Sequence, residues 1–354
     1  MNSKVIVAAA GSGKTTYLID SALNYTNNTI ILTYTTNNES SIKKRLIQKC
    51  GHVPKNIVVQ TWLSFILEHG VRPFSNLFVN ERISGIQYAP NQNRYIKKTD
   101  VRQYYFDKEM NLYSDRASQF VVELDNLSDG AVINRISSIF NNVLIDEAQD
   151  LSGYDYDFVV KLFEKSNVVV VGDPRQRTYV TNLNSKNKSY NTIFDYIQKN
   201  CPLIDVDTET LSINHRCSPS IVSYSDLLFP EYCSNVVKCH SFDDISYIKS
   251  DDVEMYLSTH QDVMQLRHNR NTKCSSHSRV MNYGDSKGLE FESVLIYVTK
   301  DIQKWLFDHS TPLSNQTRCK LYVAITRAKY SVCFVVESKY VGKLNDIHYR
   351  NNFS

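Results

Sequence analysis

No apolar run in this 354-residue chain is long enough to span a bilayer, and no early segment joins a basic start to an apolar middle and a small-residue cleavage site. Membrane insertion and secretion are therefore set aside, and a cytoplasmic setting with no membrane partner is expected. The eight cysteines include no CxxC pair, so a disulfide framework is excluded and reduced thiols are expected. Cys233, Cys239 and His240, with Cys274-x-x-His277 much later, have the right chemistry for zinc. They lack the short loop that presents two ligands together, and scattered core and surface residues are the expected reading. An excess of one charge is lacking too. Lys plus Arg number 40 against 37 acidic residues, a net charge of +3, so any nucleic-acid groove must be local rather than announced by bulk charge.

The length exceeds one ordinary core and points to two domains. The most informative stretch runs from Val5 to Thr16, where an apolar strand leads into glycines and then into a cation and two hydroxyls. That order predicts a buried strand, a tight turn with inward N–H groups, and a helix from about Ser12, which together make a phosphate cradle. Ala10, Gly11, Ser12, Gly13, Lys14, Thr15 and Thr16 are the expected nucleotide-holding residues. Lys14 would reach the β- and γ-phosphates, and the Thr15 hydroxyl would hold Mg²⁺. Ala8 stands where the pattern GxxxxGK[ST] has its first glycine.

The pattern then predicts a helix over 14–25, a strand over 29–34, a basic amphipathic helix over 40–50, and a strand over 57–60 that feeds a helix near 63–68. Tyr34, Thr35 and Thr61 fall at strand ends, where ligands of open α/β sheets sit. From about Gly70 to Leu127 the pattern weakens, and helices are expected over 101–110 and 117–127. Tyr88, Arg94, Tyr95, Lys97, Lys98, Arg102, Tyr104 and Tyr105 there suggest a stacking and phosphate surface for single strands, or an ordinary solvated helix pair. The strand Asn142–Ile145 ends in two carboxylates, Asp146 for Mg²⁺ and Glu147 to orient or deprotonate water. A strand over 168–171 precedes Gln176, placed to sense the γ-phosphate, and Tyr179, placed to stack on a base. Further on, a strand over 210–216 and a helix started by Ser218 and Pro219 are expected, then a poorly patterned stretch over 234–279. A loop feeding a strand over 280–297, a helix over 321–329 and a last strand over 332–336 complete the reading.

As a set, AAAGSGKTT, TYTTNNESSIKKRL, VQTWLSFIL, VLIDEAQD, VVGDPRQRTY, LSINHRCSPSIV, SKGLEFESVLIY and LYVAITRAK resemble, in order, the superfamily 1 helicases of the UvrD/Rep type. The resemblance implies an α/β fold of two RecA-like P-loop NTPase domains with parallel sheets. The first would comprise 1–69 and 128–200 with a small, mostly helical insertion over 70–127, and the second 201–354. ATP and Mg²⁺ are the implied cofactors and single-stranded DNA the implied track, translocated 3′-to-5′. RNA is left open by the residues. Arg216 and Arg327 match two arginines that reach the γ-phosphate from the second domain, and Glu290 matches a glutamate at the ribose. Gln149 and Gln176 match glutamines that link the ATP site to motion, and Tyr34 and Tyr179 match strand-contacting positions.

The departures carry expectations of their own. The strand begins almost at Met1, leaving no room for an adenine-reading glutamine motif, while Thr16 and His215 replace an arginine and a tyrosine usual in the family. Loosened choice between ATP and GTP is the expected result. Val180 to Leu183 replace a stacking platform, and Gly284 replaces a histidine. The interval from Arg216 to Lys287 is too short for the large second-domain insertion. A regulatory ATPase that gates a partner, such as a nuclease, is therefore the alternative reading.

Overall fold

Strands made of unbroken apolar residues are stable only when both faces are covered, as in parallel sheets flanked by helices. Such runs organise the computed structural model, which describes residues 3–88, 96–178, 186–232, 234–236, 244–340, 342, 344 and 347–350. By contacts the chain divides into two units. The first holds Met1–Val7, Lys14–Pro174 and Val180–Thr210, and the second holds Ala8–Gly13, Arg175–Tyr179 and Leu211–Ser354.

The first unit contributes β1 (Lys4–Val7), β2 (Thr29–Thr33), β3 (Ile57–Thr61), β4 (Gly85–Gln87), β5 (Asn111–Tyr113), β6 (Asn142–Ile145), β7 (Asn167–Gly172) and β8 (Val206–Asp207). Six of them form a parallel sheet in the order β3-β2-β6-β7-β1-β8. Crossover helices join them, the clearest being Lys14–Asn24 and Thr36–Cys50. The first begins at Lys14, as the spacing over 14–25 predicts and two residues past the Ser12 start expected from the cradle, because Ala10 to Ser12 are taken up by the turn. The second begins four residues earlier than expected, where the Thr35 hydroxyl accepts the Asn38 N–H and satisfies one unpaired donor of the first turn.

Past β3 a short helix, Trp62–Phe65, widens into a π-helical turn over Ile66–Val71. The turn lies against the helix Ala117–Leu127 so closely that a Cβ on Gly70 would stand 2.2 Å from the Val121 side chain. Its His69 is buried, with its ring edge against Phe140 and no hydrogen-bond partner at either ring nitrogen. Burial lowers its pKa below 6.5, a shift that Glu68 opposes and Arg135 reinforces. A lowered folded-state pKa means the unfolded chain takes up this proton first. The stabilisation is therefore complete above the unfolded value and is lost as pH falls below about 6.5, by at most about 1.4 kcal/mol per pH unit. Thermal melts between pH 7 and 5 should show this slope, and His69→Phe should flatten it.

Residues 70–127 are not purely helical. The expected helix over 101–110 stops at Tyr105, and β4 and β5 pair in parallel as a small sheet of their own. Tyr105, Phe106, Leu112 and Phe120 share one apolar core with β2, β6 and β7.

The second unit contributes β9 (Ile213–Asn214), β10 (Asn235–Val236), β11 (Asp244–Lys249), β12 (Met264–Arg267), β13 (Val280–Asn282), β14 (Phe291–Tyr297), β15 (Ala328–Val336) and β16 (His348–Tyr349). Its main sheet is also parallel, ordered β13-β12-β14-β15-β11-β16. Alternation along β15 sends Val332, Phe334 and Val336 into one core and Cys333 and Val335 into the other.

Three expectations are corrected here. The stretch over 234–279 contains β11, the helix Val253–Thr259 and β12. The strand expected over 210–216 is reduced to two residues in β9. The helix expected over 321–329 runs over Asn315–Ile325 instead, and β15 begins at Ala328. The Thr326 hydroxyl bonds back to Tyr322 O at 2.8 Å and helps close that helix. Among the described residues, no helix is long and apolar enough to cross a membrane.

Candidate nucleotide site and nucleic-acid cleft

At the carboxyl end of β6 the chain turns sharply, and Asp146 and Glu147 follow the last sheet residue. The Thr15 hydroxyl donates to Asp146 Oδ2 at 2.8 Å, which brings together the two expected Mg²⁺ ligands. Asp146 is nearly fully buried. Burial and the neighbouring Glu147 push its carboxyl up to about 6, against the opposing pull of the Thr15 hydroxyl and Lys14. Such a carboxylate favours a cation beside it, since a cation relieves the desolvation that raised its pKa.

Glu147 adopts φ 54°, a left-handed backbone that non-glycine residues seldom take. Its N–H donates to Asp146 Oδ1 at 2.9 Å. The Gln149 amide N–H₂ donates to Glu147 Oε2, and the Gln149 carbonyl oxygen accepts the Asp173 N–H at 3.0 Å. Gln149 thus ties the Glu147 carboxylate to the end of β7. A side chain on Gly172 would stand 2.4 Å from that amide oxygen, which accounts for the glycine.

Gly11 and Gly13 carry the positive φ values of the cradle, 66° and 84°. The Ser12 hydroxyl is buried with no hydrogen-bond partner. Lys14 is buried at the start of its helix, while Thr16 is exposed. A buried cation, helix N–H groups and hard oxygen ligands suit a polyphosphate with Mg²⁺. That ion commonly binds through one or two protein oxygens plus phosphate. Among the described residues no group of three or more His, Cys, Asp or Glu side chains could hold a metal. His277 instead pairs with Glu254 and Ser275, and Cys233, Cys239 and His240 lie outside the described residues.

The loop Ala8–Gly13 groups with the second unit, where Ala9 N donates to Leu211 O at 2.8 Å and His215 N to Gly11 O at 3.1 Å. In that unit Arg216 pairs with Glu290 at 2.8 Å, so the expected γ-phosphate and ribose contacts hold each other. Partial burial works to raise the Glu290 pKa, but Arg216 and Lys329 hold it below the usual carboxylate value. Arg327 is fully buried and donates to Val323 O, Leu289 O and the Thr326 hydroxyl. Gln176 is buried at the end of the short turn Pro174–Gln176 and also groups with this unit.

Two residues that sequence reasoning passed over are buried and hydrogen-bonded in this unit. Asn214 Oδ1 accepts the backbone N–H of both Arg216 and Cys217. Arg175 is buried against the Tyr322 ring, its guanidinium carbon 4.8 Å from the centroid, and bonds Tyr232 O and the Ser234 hydroxyl at 3.0 Å. Its place beside Gln176 was the available signal.

Within the first unit, the ends of β2 and β3 open into a cleft of about 320 Å³. Tyr34, Thr61 and Trp62 line it from the sheet, with Ser114 and Asp115 from the inserted segment. Thr35 and Thr61, both expected at nucleic acid, cap the helices that follow them, and the Thr61 hydroxyl accepts Ser64 N. Tyr34 and Trp62 also border a narrow gap, too tight for water, shared with Asp146 and Glu147. Tyr179, Arg94 and Tyr95 lie outside the described residues. Of the other tyrosines and cations proposed for a binding surface, Tyr105 is core, Tyr104 lies under Arg116, and Lys98 and Arg102 pair with Glu123 and Glu81.

The family described as viral superfamily 1 RNA helicase core domain matches residues 96–336, and a family described as AAA domain matches residues 2–182. No curated protein matches the sequence. Among solved structures, the arterivirus nonstructural protein 10 helicase in complex with DNA is similar at a TM-score of 0.50 and 13% identity, over 97% of this chain and 63% of that one. The same arterivirus helicase in another crystal structure gives a TM-score of 0.49 and 13% identity over 97% of this chain. The PRRSV helicase gives 0.47 and 14% over 96%. This chain spans 62% of the length of the second of these arterivirus structures and 53% of the PRRSV helicase.

Proposed function

We propose that this chain, which belongs to the family of viral superfamily 1 RNA helicase core domains, hydrolyses ATP to move along single-stranded nucleic acid. The observation that carries the reading is the Thr15–Asp146 hydrogen bond of 2.8 Å, with Glu147 the next residue and the cradle strand β1 in the same sheet. Phosphoryl transfer requires positioning and charge stabilisation more than covalent chemistry, and these residues supply both. Lys14 and the cradle N–H groups bind the phosphates. Thr15 and Asp146 hold Mg²⁺, which when bound neutralises developing charge on the phosphate oxygens. Glu147, its carboxylate fixed by Gln149, orients the attacking water and takes its proton. Gln176 senses the γ-phosphate, Arg216 and Arg327 supply cationic charge to the transferred group, and Glu290 binds the ribose.

Tyr34, Thr35, Thr61 and Tyr179 form the track contacts, and the gap shared by Tyr34, Trp62, Asp146 and Glu147 supports a physical link between track and carboxylates. DNA and RNA both stand as tracks: one solved relative carries DNA, and the matching family is one of RNA helicases. The UvrD/Rep character and 3′-to-5′ polarity rest on the DEAQD, KGLEF and VAITRAK segments. Duplexes with a 3′ or a 5′ single-stranded tail, in DNA and in RNA, test the reading. ATP-dependent strand displacement from the 3′-tailed substrate is expected. Hydrolysis indifferent to every strand, yet raised by a co-purifying protein, would assign a regulatory ATPase instead.

A further inference from the structure

We propose that Asp155 is a positioning residue that couples a strand in the cleft beside Trp62 to the alignment of the Glu147 carboxylate, and so sets how strongly nucleic acid accelerates hydrolysis. The inference rests on the nucleic-acid reading above and names a residue through which the strand acts. All of the groups involved belong to the first unit.

Asp155 stands in the first turn of the helix Tyr154–Phe163, just past the loop that carries Glu147 and Gln149. Its side chain is buried in the wall of the cleft, and its two oxygens serve different elements. Oδ1 accepts the Trp62 indole N–H at 2.8 Å and the Ser118 hydroxyl, while Oδ2 accepts the Ser152 N–H at 2.9 Å. One carboxylate thus joins the helix after β3, the inserted segment and the far end of the Glu147 loop. The Trp62 ring is held on the same helix face a second time, by Phe158, with ring centroids 6.0 Å apart.

Trp62 is buried and borders both the cleft and the narrow gap that Glu147 and Leu151 also line. That gap is too tight for water, so no solvent layer absorbs a shift of the ring, and close-packed groups pass displacement on. A strand in the cleft bears on Trp62, and Trp62 bears on the Glu147 loop by two routes. One crosses the gap. The other runs through Asp155 to Ser152, where the loop enters the helix. Between Glu147 and Ser152 lies the short turn Ala148–Asp150, and Glu147 itself holds a left-handed backbone at φ 54°. A strained residue of this kind persists only while its surroundings hold it. The bond from Ser152 to Asp155 is one of those holds, and the bond from Gln149 to Glu147 Oε2 is another.

The test compares kcat for ATP hydrolysis by the full chain at saturating strand with kcat in its absence, using thymine-only DNA and uracil-only RNA. The readout is their ratio, which a change in strand affinity or in overall turnover does not move. Trp62 Nε1 and Ser152 N can only donate, and an asparagine side chain has a single accepting oxygen, so Asp155→Asn can hold one of them but not both. The ratio should fall by about fivefold or more, the scale of coupling between sites. Trp62→Phe, which keeps a ring but removes the N–H, should lower it likewise, and the double variant no further than either single one. Trp62→Phe leaves the carboxylate in place, so it decides the matter if the amide variant does not fold. Coupling is reciprocal, so a non-hydrolysable ATP analogue should shift strand affinity in the parent chain and leave it unshifted in Asp155→Asn. A ratio unchanged in either single variant, losses that multiply in the double one, or an analogue shift that survives in Asp155→Asn would overturn the inference and leave the motor reading standing. A parent chain that bound no strand and hydrolysed ATP regardless of nucleic acid would overturn both.

Discussion

Replacing Lys14 by alanine is expected to lower ATP turnover by about 10²- to 10³-fold, the scale of removing one preorganised charge-stabilising group. Lys14 is the cation of the cradle, buried at the start of the helix Lys14–Asn24 and close enough to lower the Asp146 pKa. Its loss leaves the phosphates only the loop N–H groups and Mg²⁺, so nucleotide affinity should fall together with turnover. Phosphate release and binding of a fluorescent nucleotide report the two losses, and an unchanged melting temperature confirms that the fold survives. A Lys14→Ala variant with parent-level hydrolysis would remove the phosphate cradle from the account.

Glu147→Gln should separate what Lys14→Ala joins. The amide keeps the shape and the neighbours of the carboxylate but cannot accept a proton, so turnover should fall by about 10²- to 10⁴-fold while nucleotide binding persists. The Gln149 bond to Glu147 Oε2 and the left-handed backbone at Glu147 both act to hold this carboxylate in one place. A backbone of that kind, stored where the strand ends, is a common mark of functional positions. A variant that hydrolysed ATP normally would assign Glu147 to structure. One that lost both binding and turnover would make it part of the phosphate grip.

Much of this arrangement was legible in the sequence because the parallel strands β2, β6 and β7 and the 332–336 part of β15 are built on unbroken apolar runs, and because Asp146 and Glu147 follow such a run directly. The strands β11 and β12 were not legible, for a physical reason. Each carries polar residues inside the sheet, Asp244 and Ser246 in one and Gln265 in the other. Their partners come from distant segments: Arg350 and Ser331 on Asp244, and Ser275, Ser278 and Tyr297 on Gln265. A periodicity argument sees the polar side chain but not the distant group that satisfies it. The same limit hid the Arg216–Glu290 pair, whose members lie 74 positions apart. Thr35 and Thr61 show a further limit. Their place at strand ends suggested ligand contact, but their first duty is capping helices, which any Thr before a helix can perform.

The measurement that bears most directly on the central claim is steady-state ATP hydrolysis by the full chain with and without single-stranded nucleic acid, using DNA and RNA in parallel. The account predicts slow hydrolysis alone and strong stimulation by at least one of the two strands, with both rates removed by Glu147→Gln. A rate that neither strand changes, or one that survives in Glu147→Gln, would contradict it.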